Sequence, residues 1–354
     1  MSQFFVDDNR IGNGSEVYFI ADIGASHDGC IDRAKKLITL AKEAGANAVK
    51  FQHFSAEKFV SDKGFRALSN TSHQSKWDKS VYEVYESASI PLMWTKELKQ
   101  HSDEVGITFF SSPYGIDMIR HLDSHVSVWK VGSGDINYHK QLHELGKTGK
   151  PIMLATGAST ILEVSQAYDI CKMYTDKIVL MQCNTNYTGL DSNFDHINLN
   201  VLKTYSKLYP DCILGLSDHT FGHETVLGAV ALGAKVIEKH FTDDNTRPGP
   251  DHPFSMNPET WSDMVKSSRI LERSLGSTEK RVCENEKETV VLQRRSYRAE
   301  TNLKAGQVIN EGHFSTKRPC PQDSFSITKD IIGKRIASDI TKGDYLRGEH
   351  FNDQ

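Results

Sequence analysis

His219 and His240 stand at or just beyond the ends of two short apolar segments, within LGLSDHT (214–220) and IEKHF (237–241). Two imidazoles aimed into one mouth can bind a divalent cation. Nitrogen and oxygen ligation without thiolate permits manganese, iron, cobalt or zinc. The plainer reading is two separate hydrogen-bonding histidines among the fifteen in the chain. Lys50 and Lys130 end two further apolar segments, where an ammonium is costly to bury without an anionic partner. With Ser112, Ser133 and Ser217 they make a set able to surround a phosphate and a carboxylate. Each lysine could instead pair with a segment-end acid such as Asp22 or Asp135. Those two acids are themselves candidates for proton transfer or for helix capping.

These residues need a scaffold that delivers them to one place. Eight apolar runs read as strands: 17–22, 47–52, 107–112, 126–131, 151–156, 178–183, 213–217 and 235–240. Their near-continuous apolar character suits strands buried on both faces, as in a parallel sheet. Helical patterns lie between them. In 31–44, Ala34, Leu37, Ile38, Ala41 and Ala44 recur at helical spacing before Gly45, and another helix runs over 223–232 to Gly233. Residues 53–105 exceed one helical connection and predict an extra loop and helix over the mouth. A last helix spans about 258–275. The expected fold is α/β, a (β/α)8 barrel over 1–276, whose parallel strands all point their C-terminal ends at one face. Polar residues 277–291 read as a linker. Residues 292–354 read as a small, mostly β domain, in which AETNLKAGQVI (299–309) is echoed by ASDITKGDYL (337–346).

Composition excludes several classes. The formal net charge of −4 and 25% charged residues give no basic excess for nucleic acid. No apolar run approaches the ~18 residues of a membrane helix. The opening MSQFFVDDNRIGNGSE lacks the basic and apolar regions of a signal peptide, so a cytoplasmic protein is expected. Six scattered cysteines without a CxxC pair argue against a disulfide framework and a thiolate zinc site. Most are expected to fill the core, with Cys183 at a strand end the one that can line a pocket. GKTGK (146–150) is similar to a phosphate-binding loop, but position 141 is Gln where the upstream Gly is needed, and it precedes a strand. It reads as a turn.

With these residues in place, the chain resembles the sialic acid synthase family, the N-acetylneuraminate and related nonulosonate synthases. ADIGASHDG (21–29), GANAVKFQ (45–52), SSPYG (111–115), KVGSGD (130–135), ATG (155–157), GLSDHT (215–220), EKHFTDDNTRPGPDHPFSMNP (238–258) and KRP (317–319) occur in family order. The tail resembles the family's antifreeze-protein-like (SAF) domain. The resemblance implies condensation of phosphoenolpyruvate with an N-acylated amino-sugar aldehyde to a nine-carbon 2-keto-3-deoxy acid and phosphate. It implies a divalent metal at His219 and His240, manganese first, with magnesium or cobalt as alternatives. Lys50, Lys130, Ser112, Ser133 and Ser217 match positions that hold phosphoenolpyruvate. Gln52, Tyr187 and Asp251 match positions near the acceptor sugar. Arg318 matches an arginine inserted into the neighbouring subunit's barrel, which implies a domain-swapped homodimer.

Three departures stand out. The first motif carries Asp22 where the family usually has Glu, with Ser26 in place of Asn before His27. The fourth ends in Asp135 where Glu is common, and CNTNYTG (183–189) has Thr185 in place of Asn or Ser and lacks a following proline. They leave the acceptor open among neuraminate, legionaminate and pseudaminate precursors. A metal-dependent barrel hydrolase and an inactive sugar-binding relative are the readings from other classes.

Overall fold

Short apolar runs alternating with amphipathic helices bury both strand faces only when the helices pack outside a parallel sheet. The computed structural model, which describes residues 3–68, 77 and 79–351, has that arrangement. A hairpin of β1 (Gln3–Val6) and β2 (Asn9–Gly12) comes first. Then follow β3 (Tyr18–Asp22), β4 (Ala48–His53), β5 (Thr108–Pro113), β6 (Trp129–Val131), β7 (Ile152–Ala155), β8 (Ile178–Cys183), β9 (Ile213–Asp218) and β10 (Val236–His240). Among the described residues these last eight form one sheet in the order β5–β4–β3–β10–β9–β8–β7–β6. β5 and β6 lie beside one another at the seam, so the sheet curls into a near-closed barrel. All eight expected strands are present, their ends shifted by a residue or so, except that 126–131 is extended only over Trp129–Val131. The hairpin had no sequence signal, because strands of four residues are too short to show a period.

The helix Ile31–Glu43 buries Ala34, Leu37, Ile38 and Ala41, the stripe its spacing predicts. Pro258–Leu275 starts where the Asn257 side chain accepts the Thr260 N–H, and stops at Gly276, whose φ of +54° ends the helix. The long connection after β4 carries the short helices Ala56–Phe59, Asp62–Ala67 and Val81–Ala88 before the outer helix Trp94–Val105. GKTGK is a helix end and turn: Lys147 pairs with Glu144 and Lys150 with Asp123.

The chain divides into two compact units, Met1–Gly276 and Ser277–Gln354. In the second, a helix covers Lys287–Gln293, and β11 (Ser296–Ala299) pairs antiparallel with β12 (Phe314–Lys317). Its core gathers Ala299, Leu303, Ile309, Ile331, Ile336, Ile340 and Leu346. The echoed sequences meet here: Leu303 and Ile340 exchange backbone hydrogen bonds at 2.8 and 2.9 Å.

Candidate active site

Side chains alternate along a strand, so residues two apart share a face. On β10 this sends Glu238 and His240 into the barrel and Lys239 outward, where Lys239 forms a buried pair with Asp218 at 2.6 Å. Register sets the lateral neighbours: His240 lies opposite Asp22, Asp22 opposite Lys50, and Glu238 opposite Ser217. At the C-terminal ends of the strands these side chains form one network.

Lys50 Nζ lies 2.7 Å from Asp22 Oδ2 and 3.6 Å from Glu238 Oε1, and Lys130 Nζ reaches the same Glu238 oxygen at 3.1 Å. Ser217 donates to Glu238 Oε1 at 3.1 Å, and Gln52 Nε2 to Asp22 Oδ2 at 3.1 Å. Burial opposes the charge on Lys50, yet Asp22 and Glu238 outweigh it and raise its pKa. Burial likewise opposes the charge on Asp22 and on Glu238, but the facing lysines, with His240 beside Asp22, hold both acids below their ordinary values. Lys50, Asp22 and Glu238 are therefore charged. Glu238 Oε2 and Ser112 Oγ are buried without a hydrogen-bond partner. Ser133 Oγ accepts the N–H of Gly157 at 2.9 Å.

Asp135 stays apart from the lysines. It accepts from Gln141 Nε2 at 3.0 Å, and burial raises its pKa. The acid that both lysines share is thus Glu238, whose role the sequence did not reveal. A carboxylate two residues before an inward His, in a strand otherwise apolar on its inner face, was the available signal.

His219 and His240 have ring centroids 5.5 Å apart and pack against Tyr187, 4.4 Å from His219, and Phe254, 5.0 Å from His240. His219 Nδ1 is 2.9 Å from the Asn184 carbonyl, which can only accept, so Nδ1 carries the hydrogen and a neutral ring keeps its lone pair on Nε2. His240 Nδ1 is buried without a hydrogen-bond partner, 3.5 Å from Asp251 Oδ2. Among the described residues no group of three or more His, Cys, Asp or Glu side chains could hold a metal ion. The free Nε2 of His219 and the unpartnered Nδ1 of His240 are nitrogen donors that would suit a divalent ion. Asp251 accepts the Ala25 N–H at 2.7 Å; burial opposes its charge, but His240 brings its pKa down to about 2. A Cβ on Gly24, whose φ is +46°, would sit 2.4 Å from Asp251 Oδ2, so only glycine lets this loop approach so closely. Cys183, the cysteine expected to be able to line a pocket, lies 3.9 Å from His219 Nδ1; burial raises its pKa, but His219 reverses the shift to about 7. Arg318 belongs to the second unit, one residue beyond β12.

The fold and site define a barrel enzyme with paired lysines and carboxylates beside two histidines at the strand ends. Residues 37–280 match the NeuB family, and 294–352 match the SAF domain. The N,N'-diacetyllegionaminic acid synthase of Campylobacter jejuni is 31% identical over 93% of this chain and 98% of that protein. The N-acetylneuraminate-9-phosphate synthase of Homo sapiens is 31% identical over 96% and 94%. The crystal structure of N-acetylneuraminic acid synthetase from Leptospira borgpetersenii superposes with a TM-score of 0.72 at 27% identity, covering 82% of this chain and 95% of that one. The chain belongs to the NeuB family of phosphoenolpyruvate-condensing nonulosonate synthases. Members of the family generally use a divalent metal. No helix among the described residues is long and apolar enough to cross a membrane.

Proposed function

We propose that this enzyme condenses phosphoenolpyruvate with an N-acylated amino-sugar aldehyde, N-acetylmannosamine or a related hexosamine, to a nine-carbon 2-keto-3-deoxy acid and phosphate. The carrying observation is the convergence of Lys50 and Lys130 on Glu238, with Ser112 Oγ beside them unpartnered, next to the His219–His240 pair. Equal identity to a legionaminate and a neuraminate 9-phosphate synthase keeps the dideoxy diacetamido sugars as alternative acceptors.

In this reading Lys50 and Lys130 hold the carboxylate and phosphate of phosphoenolpyruvate by charge-assisted hydrogen bonds, with Ser112, Ser133 and Ser217 donating hydroxyls. C3 of the enol bonds to the aldehyde carbon, water bonds to C2, and the C2–O bond to phosphate breaks. Asp22, Gln52, Tyr187 and Asp251 face the acceptor. Asp135, its pKa raised by burial, exchanges a proton with the water or the leaving phosphate. A divalent ion held by His219 and His240, manganese in our reading, supplies Lewis acidity toward the aldehyde oxygen or the water when bound. Arg318 reaches the partner subunit's acceptor in a homodimer. A hydrolase using the same histidines would have no need of two buried lysines sharing one carboxylate.

The test is release of phosphate from phosphoenolpyruvate with a panel of N-acylated hexosamines and manganese. Chelator should abolish release, manganese should restore it, and His240→Ala should lose metal affinity measured by calorimetry while staying folded. Absence of release with every sugar, or full activity in metal-free enzyme, would overturn the respective part of the reading.

A further inference from the structure

Lys239 lies on the outer side of β10, and its side chain and that of Asp218 are each only 1% exposed. Register sets the two opposite one another, Asp218 being the last residue of β9. The ammonium has two acceptors, Asp218 Oδ2 at 2.6 Å and the Thr220 carbonyl at 2.7 Å. Those two residues flank His219. Asp218 in turn accepts the Thr220 N–H at 3.2 Å, and the hydroxyls of Thr220 and Thr225 lie 2.9 and 2.6 Å from its Oδ2. Thr225 belongs to the first turn of the helix Glu224–Ala231, so the carboxylate ties strand end, turn and helix together. His240, the other imidazole of the pair, directly follows Lys239 in the chain. One side chain thus leaves its strand beside the second histidine and grips both neighbours of the first.

A buried ion pair is often no more stabilising than a well-packed apolar pair, because desolvating both charges offsets their attraction. Stability alone therefore gives no reason to place charge here, whereas directional hydrogen bonds on residues 218 and 220 do hold the turn between them. The Nδ1–H bond of His219 to the Asn184 carbonyl, at 2.9 Å, then fixes the ring on that turn. His240 is fixed separately, by the pairing of β10 with β3. We propose that Lys239 and Asp218 are positioning residues that set the spacing of His219 and His240 for a divalent ion. The inference rests on the reading of those histidines as the metal pair and deepens it. Neither residue faces the lumen, so their effect passes through His219. Metal–ligand distances hold to within about 0.2 Å, and a turn free to drift further would withdraw its nitrogen from the pair.

Lys239→Met alone would leave the Asp218 carboxylate buried and unpaired. The test variant is therefore the double substitution Lys239→Met with Asp218→Asn, which removes both charges while the amide can still accept from Thr220. Full-length enzyme stripped with chelator is titrated by calorimetry with manganese alone, and separately with phosphoenolpyruvate in the absence of metal. The double variant should keep the parent's urea midpoint and its Kd for phosphoenolpyruvate, and raise the Kd for manganese by roughly 10–100-fold. Thr225→Val loosens the same carboxylate without unpairing a charge, and should raise the manganese Kd by a smaller factor. An unchanged manganese Kd in the folded double variant, or in Thr225→Val should the double variant not fold, would overturn the inference. So would loss of manganese and phosphoenolpyruvate affinity by the same factor, which would mark general damage to the barrel. A parent enzyme that binds no manganese, or binds it as tightly after His240→Ala, would instead overturn the metal-pair reading and this inference with it.

Discussion

Lys50 Nζ lies 2.7 Å from Asp22 Oδ2, across the register in which β3 and β4 set the two residues opposite one another. The shorter aspartate thus still reaches the lysine, and Gln52 donates to the same oxygen.

Removing that carboxylate has two separable consequences. Asp22→Ala leaves the Lys50 ammonium, buried, with Glu238 at 3.6 Å as its remaining acid. It should lower stability by about 3–5 kcal/mol and turnover by roughly 100-fold. Asp22→Glu should keep measurable turnover and shift the choice of sugar. Normal turnover by Asp22→Ala, followed by phosphate release, would make the residue purely structural.

Glu238 answers two ammonium groups at once. Glu238→Gln should destabilise the free enzyme by about 3–5 kcal/mol, because both lysines lose their shared counter-charge. Phosphoenolpyruvate brings that charge back. Its stabilising shift in Tm should therefore be larger in the variant than in the parent. Equal shifts in a thermal melt would show that the ligand does not meet these lysines.

His53 predicts an acid limit to stability. It is buried on the outer side of β4, with Ser111 Oγ at 2.7 Å from Nδ1 and Thr95 Oγ1 at 3.0 Å from Nε2. Burial first, then His121, His27 and His125, push its pKa down to about 3 from 6.5. Below 6.5 the unfolded chain takes a proton that the folded chain refuses. Stability attributable to this group is therefore full above that value and lost as pH falls towards 3, at a slope of about 1.4 kcal/mol per pH unit. His53→Gln, which can still hydrogen-bond, should flatten urea midpoints measured from pH 7 to 4 by one proton's share. An unchanged slope would refute it.

The small β domain gives a prediction of assembly. Mixing inactive His240→Ala subunits with inactive Arg318→Ala subunits should restore activity if each barrel is completed by the partner's arginine. A hybrid dimer then has one site with both defects and one with neither. With subunit exchange confirmed by mass, no recovery would mean that Arg318 acts within its own chain or has no part in the site.

The repeating alternation of apolar strand and helix made the barrel legible, because burial on both strand faces leaves a local mark in the residue order. The same two-residue period explains why Lys50, Ser112, Lys130, Ser217 and His240 were readable as inward polar groups at strand ends. Which of them touch was not. That depends on lateral neighbours, and the barrel sets β10 against β3, strands from opposite ends of the fold. Closure is what brings His240 to Asp22 and hangs Glu238 between two lysines, leaving Asp135 to Gln141. A wall of four rings at the barrel mouth is also a product of the tertiary structure. Phe54, Phe59, Tyr85 and Tyr114 have no period in the sequence, and only the packing of the connections around the mouth turns four dispersed rings into one surface.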